Sequence, residues 1–411
     1  MEQTPLLVPV PPPTRLAPLD LVRGVLMVFM AIDHSKGLLS NFVTPHEQWF
    51  EMPDYKGNVL HFLSRFVTSF CAPGFFMLMG WGVALFIESR RRLGWSWTNI
   101  FKHFFLRGLV LLVLNDLMMI PFRPIGFGYV FATSVLFALG VGIFLASVFI
   151  YLEELVMKGV SKERLPVYLG VMYFSIATFL TIIPSLYVPR PEAVNEESFS
   201  FWFLFWFLPM ASPAIQTPIF SIYPVVPWLA HTLWGVGIGR VSKLVSWDPP
   251  RLGLVNLICG ISMLAVAIPL RYAGNWTSIN PELVVPPIQS SVISFFNNVK
   301  YPPSVVYTLI TIGANHMLLG FLFIMNPKVD SERGLLMVYG GSSLFFYVTH
   351  FYTYATMKYL LTVIGVLPEG GFGDGVFWIW YLVGLVLEYY MCMRYAEFKR
   401  TTSKDSLWRL F

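Results

Sequence analysis

The sequence has 411 residues, of which 56% are hydrophobic and only 12% are charged, with a net charge of +5 and a mean hydropathy of +0.64. Because soluble domains carry about 25% charged residues, this composition excludes an ordinary soluble domain and predicts an all-α polytopic membrane protein. Its basic residues fall in short loops between apolar runs, so the sequence does not predict binding to nucleic acid.

Residues 1–15 are rich in proline and show no signal-peptide pattern, so they predict a disordered tail. A transmembrane domain is predicted over residues 16–398, and a second tail over 399–411. In the first tail, Glu2, Leu6 and Leu7 are similar to an acidic dileucine sorting signal, which favours an endolysosomal or plasma membrane. About ten apolar runs predict transmembrane helices, near residues 17–40, 59–87, 104–121, 127–151, 166–187, 217–239, 252–270, 304–325, 335–364 and 376–394.

Lysine and arginine are distributed unevenly between the two sides of these predicted helices. With the N-terminus in the cytosol, eighteen lie in cytosolic segments and eight on the opposite side. The positive-inside rule therefore predicts that both termini are cytosolic. It also places Arg23 near the cytosolic surface and His34 toward the outer one. Closely spaced glycines predict close contacts between helices: Gly80 and Gly82, and Gly235, Gly237 and Gly239.

The first predicted span contains the ionisable residues Asp20, Arg23, Asp33 and His34. Each costs about 2.5–3.5 kcal/mol at the centre of a membrane helix, so such residues usually mark functional sites. Arg23 and His34 lie close to three helical turns apart, on one face and roughly 16 Å apart along the axis. A long ligand with an anionic head and a reactive tail would fit this face. Alternatively, Asp20 and Arg23 neutralise each other, and His34 is an ordinary core histidine.

Arg107 is a further candidate, since it lies near Lys102 and the run from Arg90 to Arg92 and can meet phosphates that arrive from the cytosol. The arginine run alone is also typical of a positive-inside loop. Polar residues in other predicted spans, Asn115, Asn315 and Glu388, are interpreted as hydrogen-bonding ties between helices. The histidines His34, His46, His61 and His103 have no metal-ligand spacing, so no metal site is predicted.

Several segments resemble one family. Residues 19–34, LDLVRGVLMVFMAIDH, resemble the opening span of the heparan-alpha-glucosaminide N-acetyltransferase-like membrane proteins, and their Arg-to-His spacing is similar to that of bacterial surface-polysaccharide O-acyltransferases. Residues 64–85, 222–240, 301–313, 343–354 and 378–400 continue the first resemblance in order. It implies transfer of an acetyl or other acyl group from cytosolic acetyl-CoA or another acyl-CoA to an amine or hydroxyl of a lumenal acceptor, such as an amino sugar.

The resemblance also implies roles for individual residues. Arg23 and Arg107, with Asp20, would hold the acyl-CoA phosphates, and His34, with Asp33 beside it, would be the general base. In the lysosomal heparan enzyme, the position of His34 is an asparagine and the working histidine lies about eleven residues later, which here is Pro45, next to His46. His34 and His46 are therefore alternative bases. Since the chain has no large lumenal N-terminal domain, heparan is not implied as the substrate.

The predicted partners are membrane lipids, acyl-CoA and a lumenal sugar or small-molecule acceptor, with a homodimer as one possible assembly. The main alternative function is a small-solute or proton-coupled transporter that uses the same intramembrane charges as its pathway. A non-catalytic membrane scaffold is the third alternative.

Overall fold

The structure is a computed structural model that describes residues 16–42, 46–118, 131–161, 163–190, 200–209, 219–245, 248–284, 287–325, 333–403, 406 and 408. The predicted N-terminal tail with its dileucine pattern, Pro45 and most of residues 404–411 lie outside these ranges. The predictions made for those segments therefore stay predictions.

Within the described ranges, most of the chain is helical. The α-helices are α1 (Ala17–Leu39), α2 (Val59–Thr68), α3 (Cys71–Arg92), α4 (Trp97–Met118), α5 (Val135–Val156), α6 (Leu165–Tyr187), α7 (Phe201–Trp206), α8 (Val225–Val241), α9 (Pro249–Ala273), α10 (Val292–Phe296), α11 (Val305–Met325), α12 (Leu335–Gly341), α13 (Ser343–Val363) and α14 (Asp374–Thr401). Two three-residue strands, β1 (Phe131–Thr133) and β2 (Ile219–Ser221), pair in parallel, with Ala132 opposite Phe220.

The protein is a helical membrane protein. Six segments of the described chain are long and apolar enough to cross a membrane: Val59–Arg92, which contains α2 and α3, together with α5, α6, α9, α11 and α14. They coincide with six of the ten predicted spans. The other four fall on α1, α4, α8 and the α12–α13 pair, which are helical but not among the six. Of these, α8 has only 17 residues, and α1 carries several ionisable side chains.

Helix α1 occupies the middle of the bundle. It packs against α2, α3, α11, α12, α13 and α14, so its polar residues face other helices. The contact with α12 brings the two backbones together at glycines. A Cβ on Gly24 would lie 2.1 Å from the carbonyl oxygen of Leu336, and one on Gly340 would lie 1.8 Å from that of Asp20. This close approach forms one wall of the cavity described below.

The predicted glycine contacts are confirmed where α3 meets α8. A Cβ on Gly80 would lie 1.8 Å from the carbonyl oxygen of Thr232, and a Cβ on Gly235 would lie 1.9 Å from that of Met77. No side chain fits in either gap, so small residues allow these two helices to pack at backbone distance.

Two details differ from the sequence-based expectations. The residues of β1 and β2 were expected inside the spans 127–151 and 217–239, but α5 and α8 begin only at Val135 and Val225, after the paired strands. Similarly, α4 begins at Trp97 rather than near residue 104. Arg107 therefore lies near the middle of this helix and not at its start, which was the expected position.

Candidate active site

A cavity of about 390 Å³ lies between α1, α3, α4, α5 and the junction of α12 with α13. The three residues predicted to hold acyl-CoA, Asp20, Arg23 and Arg107, all line it. Lys399 of α14 adds a third basic side chain, while most of the remaining wall is apolar. Three basic groups and one carboxylate thus face a space that otherwise suits an apolar chain.

The two arginines in this cavity differ in their partners. Arg23 donates a hydrogen bond from Nη1 to Asp20 Oδ1 at 3.0 Å. Arg107 has no hydrogen bond or ion pair with any residue in the described ranges, and the guanidinium of Arg23 is a charged group that acts on it. A guanidinium inside a helical bundle without a carboxylate partner is costly. The arrangement therefore favours an anionic ligand at this point, and phosphate is a common partner of arginine.

His34 forms a pair with His350 of α13. The Nδ1 atom of His34 lies 2.7 Å from Nε2 of His350, and Nδ1 of His350 lies 2.9 Å from the carbonyl oxygen of Phe346. Because a carbonyl only accepts, His350 must carry its proton on Nδ1. His350 is fully buried, and in its neutral form its Nε2 accepts the Nδ1 proton of His34. The remaining nitrogen of His34, Nε2, then has a free lone pair.

This lone pair has no hydrogen-bond partner among the described residues, and the His34 side chain is only partly buried. Its ring packs against Phe351, with a centroid separation of 4.3 Å, and meets the edge of Tyr347 at 6.3 Å. Tyr347 also lines the cavity that contains Arg23 and Arg107. One lining residue of the cavity is therefore in ring contact with the histidine whose Nε2 can accept a proton.

Asp33 points away from this pair and binds Arg65 of α2. The guanidinium of Arg65 donates from Nη1 to Asp33 Oδ2. It also binds both carboxylate oxygens of Glu47, from Nε to Oε1 at 2.7 Å and from Nη2 to Oε2 at 2.5 Å. Arg65 lies on α2, whose first turn is capped by the side chain of Asn58, which accepts a hydrogen bond from the backbone N–H of His61. Asp33 therefore does not orient His34, and His350 occupies that position instead.

His46 lies at the edge of the same ion-pair cluster. Its Nδ1 accepts a hydrogen bond from Arg65 Nη2 at 3.3 Å, so the neutral ring carries its proton on Nε2 and has no free lone pair. Desolvation by the surrounding loops and the charge of Arg65 lower the pKa of His46, although part of its ring reaches solvent. For Glu47, burial alone raises the pKa, but the Arg65 guanidinium outweighs it and holds the pKa below its usual value.

Sequence reasoning found most of the individual residues but not their partners. Arg65, His350 and Glu47 were not among the candidate site residues predicted from the sequence. The only signal for His350 was its position in one of the segments that carry the family resemblance, residues 343–354. For a metal, the described residues contain no group of three or more His, Cys, Asp or Glu side chains that could hold an ion.

Comparison with known proteins adds no further assignment. No protein-family model matches this chain, and no curated protein matches it significantly. The candidate site therefore depends on its geometry and on the resemblance described above.

Proposed function

We propose that this protein is an integral-membrane acyltransferase that moves an acetyl or other acyl group from cytosolic acyl-CoA to an amine or hydroxyl on the lumenal side. One observation supports this most directly: Tyr347 lines the same cavity as Arg107, which has no partner among the described residues, and the Tyr347 ring contacts the ring of His34. A candidate site for anions and an available base thus lie on opposite sides of Tyr347. The proposal includes the ten-span topology with cytosolic termini and a location in the endolysosomal or plasma membrane.

In this mechanism, Arg107 and Arg23 bind phosphates of acetyl-CoA, and Asp20 positions Arg23 through their ion pair. The apolar cavity wall accommodates the pantetheine arm. Arg23 and His34 are about 16 Å apart along α1, a span that the extended arm can cover once Tyr347 turns aside.

The chemical step takes place at His34. The acceptor's nitrogen or oxygen attacks the thioester carbonyl carbon while Nε2 of His34 takes the proton of the acceptor. The tetrahedral intermediate then collapses, the C–S bond breaks, and the leaving thiolate takes that proton from His34. His350 keeps Nε2 unprotonated before the attack by accepting the Nδ1 proton. His46 has no such free nitrogen, which favours His34 between the two alternative bases.

The transporter alternative has its own support. Asp33, Arg65 and Glu47 form a largely buried cluster of ion pairs, and such clusters also occur in proton-coupled transport pathways. The two functions differ in one measurable product, since a transporter moves solute without consuming thioester.

The deciding experiment uses the purified full-length protein in lipid nanodiscs with radiolabelled acetyl-CoA and a panel of amino sugars and small alcohols. Transfer of label is expected for the wild type, whereas His34→Gln should reduce turnover about 10²–10⁴-fold with unchanged CoA binding. Arg107→Met should weaken CoA binding about 10- to 100-fold, since a charged hydrogen bond contributes about 1.5–3 kcal/mol.

Lys102→Met is the matched control, because Lys102 is an exposed basic residue on the same helix as Arg107. It should leave CoA binding unchanged. Equal CoA affinity in Arg107→Met and Lys102→Met would contradict the proposed phosphate site. Solute uptake into proteoliposomes with no loss of thioester would favour the transporter instead.

A further inference from the structure

Lys300 is a second buried cation near His34, and the mechanism above gives it no role. Only 4% of its surface is exposed. Its backbone N–H and that of Tyr301 both donate to the carbonyl oxygen of Glu47, at 2.9 and 3.0 Å, and Trp49 N–H donates to the carbonyl of Tyr301 at 3.0 Å. The segment is thus fixed to the loop that carries Glu47, beside the Arg65 cluster.

The ammonium group of Lys300 has no hydrogen-bond acceptor among the residues that the structure describes. It lies 5.1 Å from the centroid of its neighbour Tyr301, and its charge acts on both Asp33 and His34. Lys36, a buried lysine at the end of α1, differs in this respect because its Nζ donates to Ser64 Oγ at 2.5 Å. An ammonium at the end of a largely buried side chain, with no hydrogen-bond acceptor among the described residues, favours an anionic group beside it.

The carboxylates of Asp33 and Glu47 accept no hydrogen bond from the ammonium group of Lys300. Arg65 donates to Asp33 through Nη1 and to both oxygens of Glu47 through Nε and Nη2. Arg65 therefore already engages both carboxylates on which the charge of Lys300 acts. Lys300 influences them electrostatically but hydrogen-bonds to neither, so its own donors stay available to a ligand.

We infer that Lys300 Nζ is the oxyanion-binding group of this site, a role that depends on the proposed acyl transfer. When the acceptor attacks the thioester carbon, the new bond forms, the carbonyl π electrons move to the oxygen, and the acceptor's proton goes to His34. Lys300 stabilises the resulting oxyanion with an N–H donor for which none of the described residues is an acceptor. The C=O bond then re-forms, the C–S bond breaks, and His34 returns the proton to the thiolate. The only ligand class this requires is a thioester.

The test compares Lys300→Met and Lys300→Ala with Lys36→Met in nanodiscs, with acetyl-CoA as donor and glucosamine as acceptor. Removal of one oxyanion donor should lower kcat about 10²–10³-fold while KM for acetyl-CoA and CoA affinity stay unchanged. Because Lys36 already has a partner, Lys36→Met should keep kcat within a few-fold of the wild type. Added methylammonium should restore part of the activity of Lys300→Ala, since it places a cation in the space of the deleted side chain.

The possible results separate the two proposals. Wild-type protein without any acyl transfer would overturn the proposed function and this role together. An active wild type with normal kcat in Lys300→Met would overturn only the role of Lys300. An equal loss of kcat in Lys36→Met would show that the effect comes from the net charge of the cluster. Unfolding of both Lys300 variants would show that Lys300 stabilises the fold. Either result would also overturn the inference.

Discussion

The hydrogen bond between the two histidines allows a quantitative prediction for His350→Phe. The phenylalanine ring keeps the shape of the imidazole and its packing against Phe346 and Phe351, but it removes the acceptor for His34 Nδ1. The neutral His34 ring then loses the bond that selects its tautomer. His350 is a positioning residue in this scheme, since it acts on the acceptor's proton only through His34.

The expected loss follows from the strength of one neutral hydrogen bond. Such a bond contributes about 0.5–1.5 kcal/mol net, and each 1.36 kcal/mol changes a rate tenfold. We therefore expect kcat to fall roughly 2- to 13-fold in His350→Phe, against about 10²–10⁴-fold for loss of the base in His34→Gln. KM for acetyl-CoA should not change, because His350 does not line the cavity.

The assay is steady-state acetyl transfer from acetyl-CoA to glucosamine by the purified protein, with thermal unfolding measured on the same samples. His350→Gln is the conservative variant, since its amide oxygen can accept the proton of His34 Nδ1, and it should recover part of the loss. A decrease in His350→Phe as large as that in His34→Gln would refute the reasoning, because His350 would then itself transfer the proton. An unchanged kcat would refute it as well, since the tautomer would then have no influence on the rate.

Two further predictions concern the cavity and the ion-pair cluster. A Cβ on Gly82 would lie 3.7 Å from Arg23 Nη2, so Gly82→Leu should raise KM for acetyl-CoA severalfold. The control Gly375→Leu should leave KM unchanged, because a Cβ there meets open space. Equal KM values in the two variants would contradict the proposed position of acetyl-CoA. Glu47→Gln should lose about 3 kcal/mol of stability at neutral pH, because one partner of a buried pair is removed. Since folding holds the pKa of Glu47 below its usual 4.5, this contribution is fully present above pH 4.5 and is lost as pH falls through the folded pKa. In thermal unfolding, the difference in stability between Glu47→Gln and the wild type should therefore decrease in acid. The control Glu51→Gln, at an exposed position, should be as stable as the wild type. A stability difference for Glu47→Gln that stays constant in acid would argue against the pair.

The sequence alone determined those features that depend on local patterns. Apolar runs of the right length predicted helices, and six of them are the segments that the structure shows to be long and apolar enough for a membrane. Helical periodicity placed Asp20 and Arg23 on one face, and the structure finds both on the wall of one cavity. These predictions succeed because the geometry of a helix follows from spacing within a few turns.

Helix ends were predicted less well. Helices α4, α5 and α8 begin at other residues than expected, so Arg107 lies deeper in its helix than the sequence suggested. Helix α1 carries more ionisable residues than a lipid-facing helix tolerates. The physical reason is that α1 is surrounded by six other helices, and neither hydropathy nor spacing shows which helix stands at the centre of a bundle.

Only the tertiary structure decided how the candidate site is assembled. His34 and His350 are 316 positions apart, and Arg65 joins carboxylates that come from α1 and from the loop after it. Lys300 reaches this cluster because its segment pairs with the backbone of the same loop. Which nitrogen of a histidine is free, and which cation lacks a partner, depends on contacts between helices distant in sequence, and no local pattern encodes those contacts.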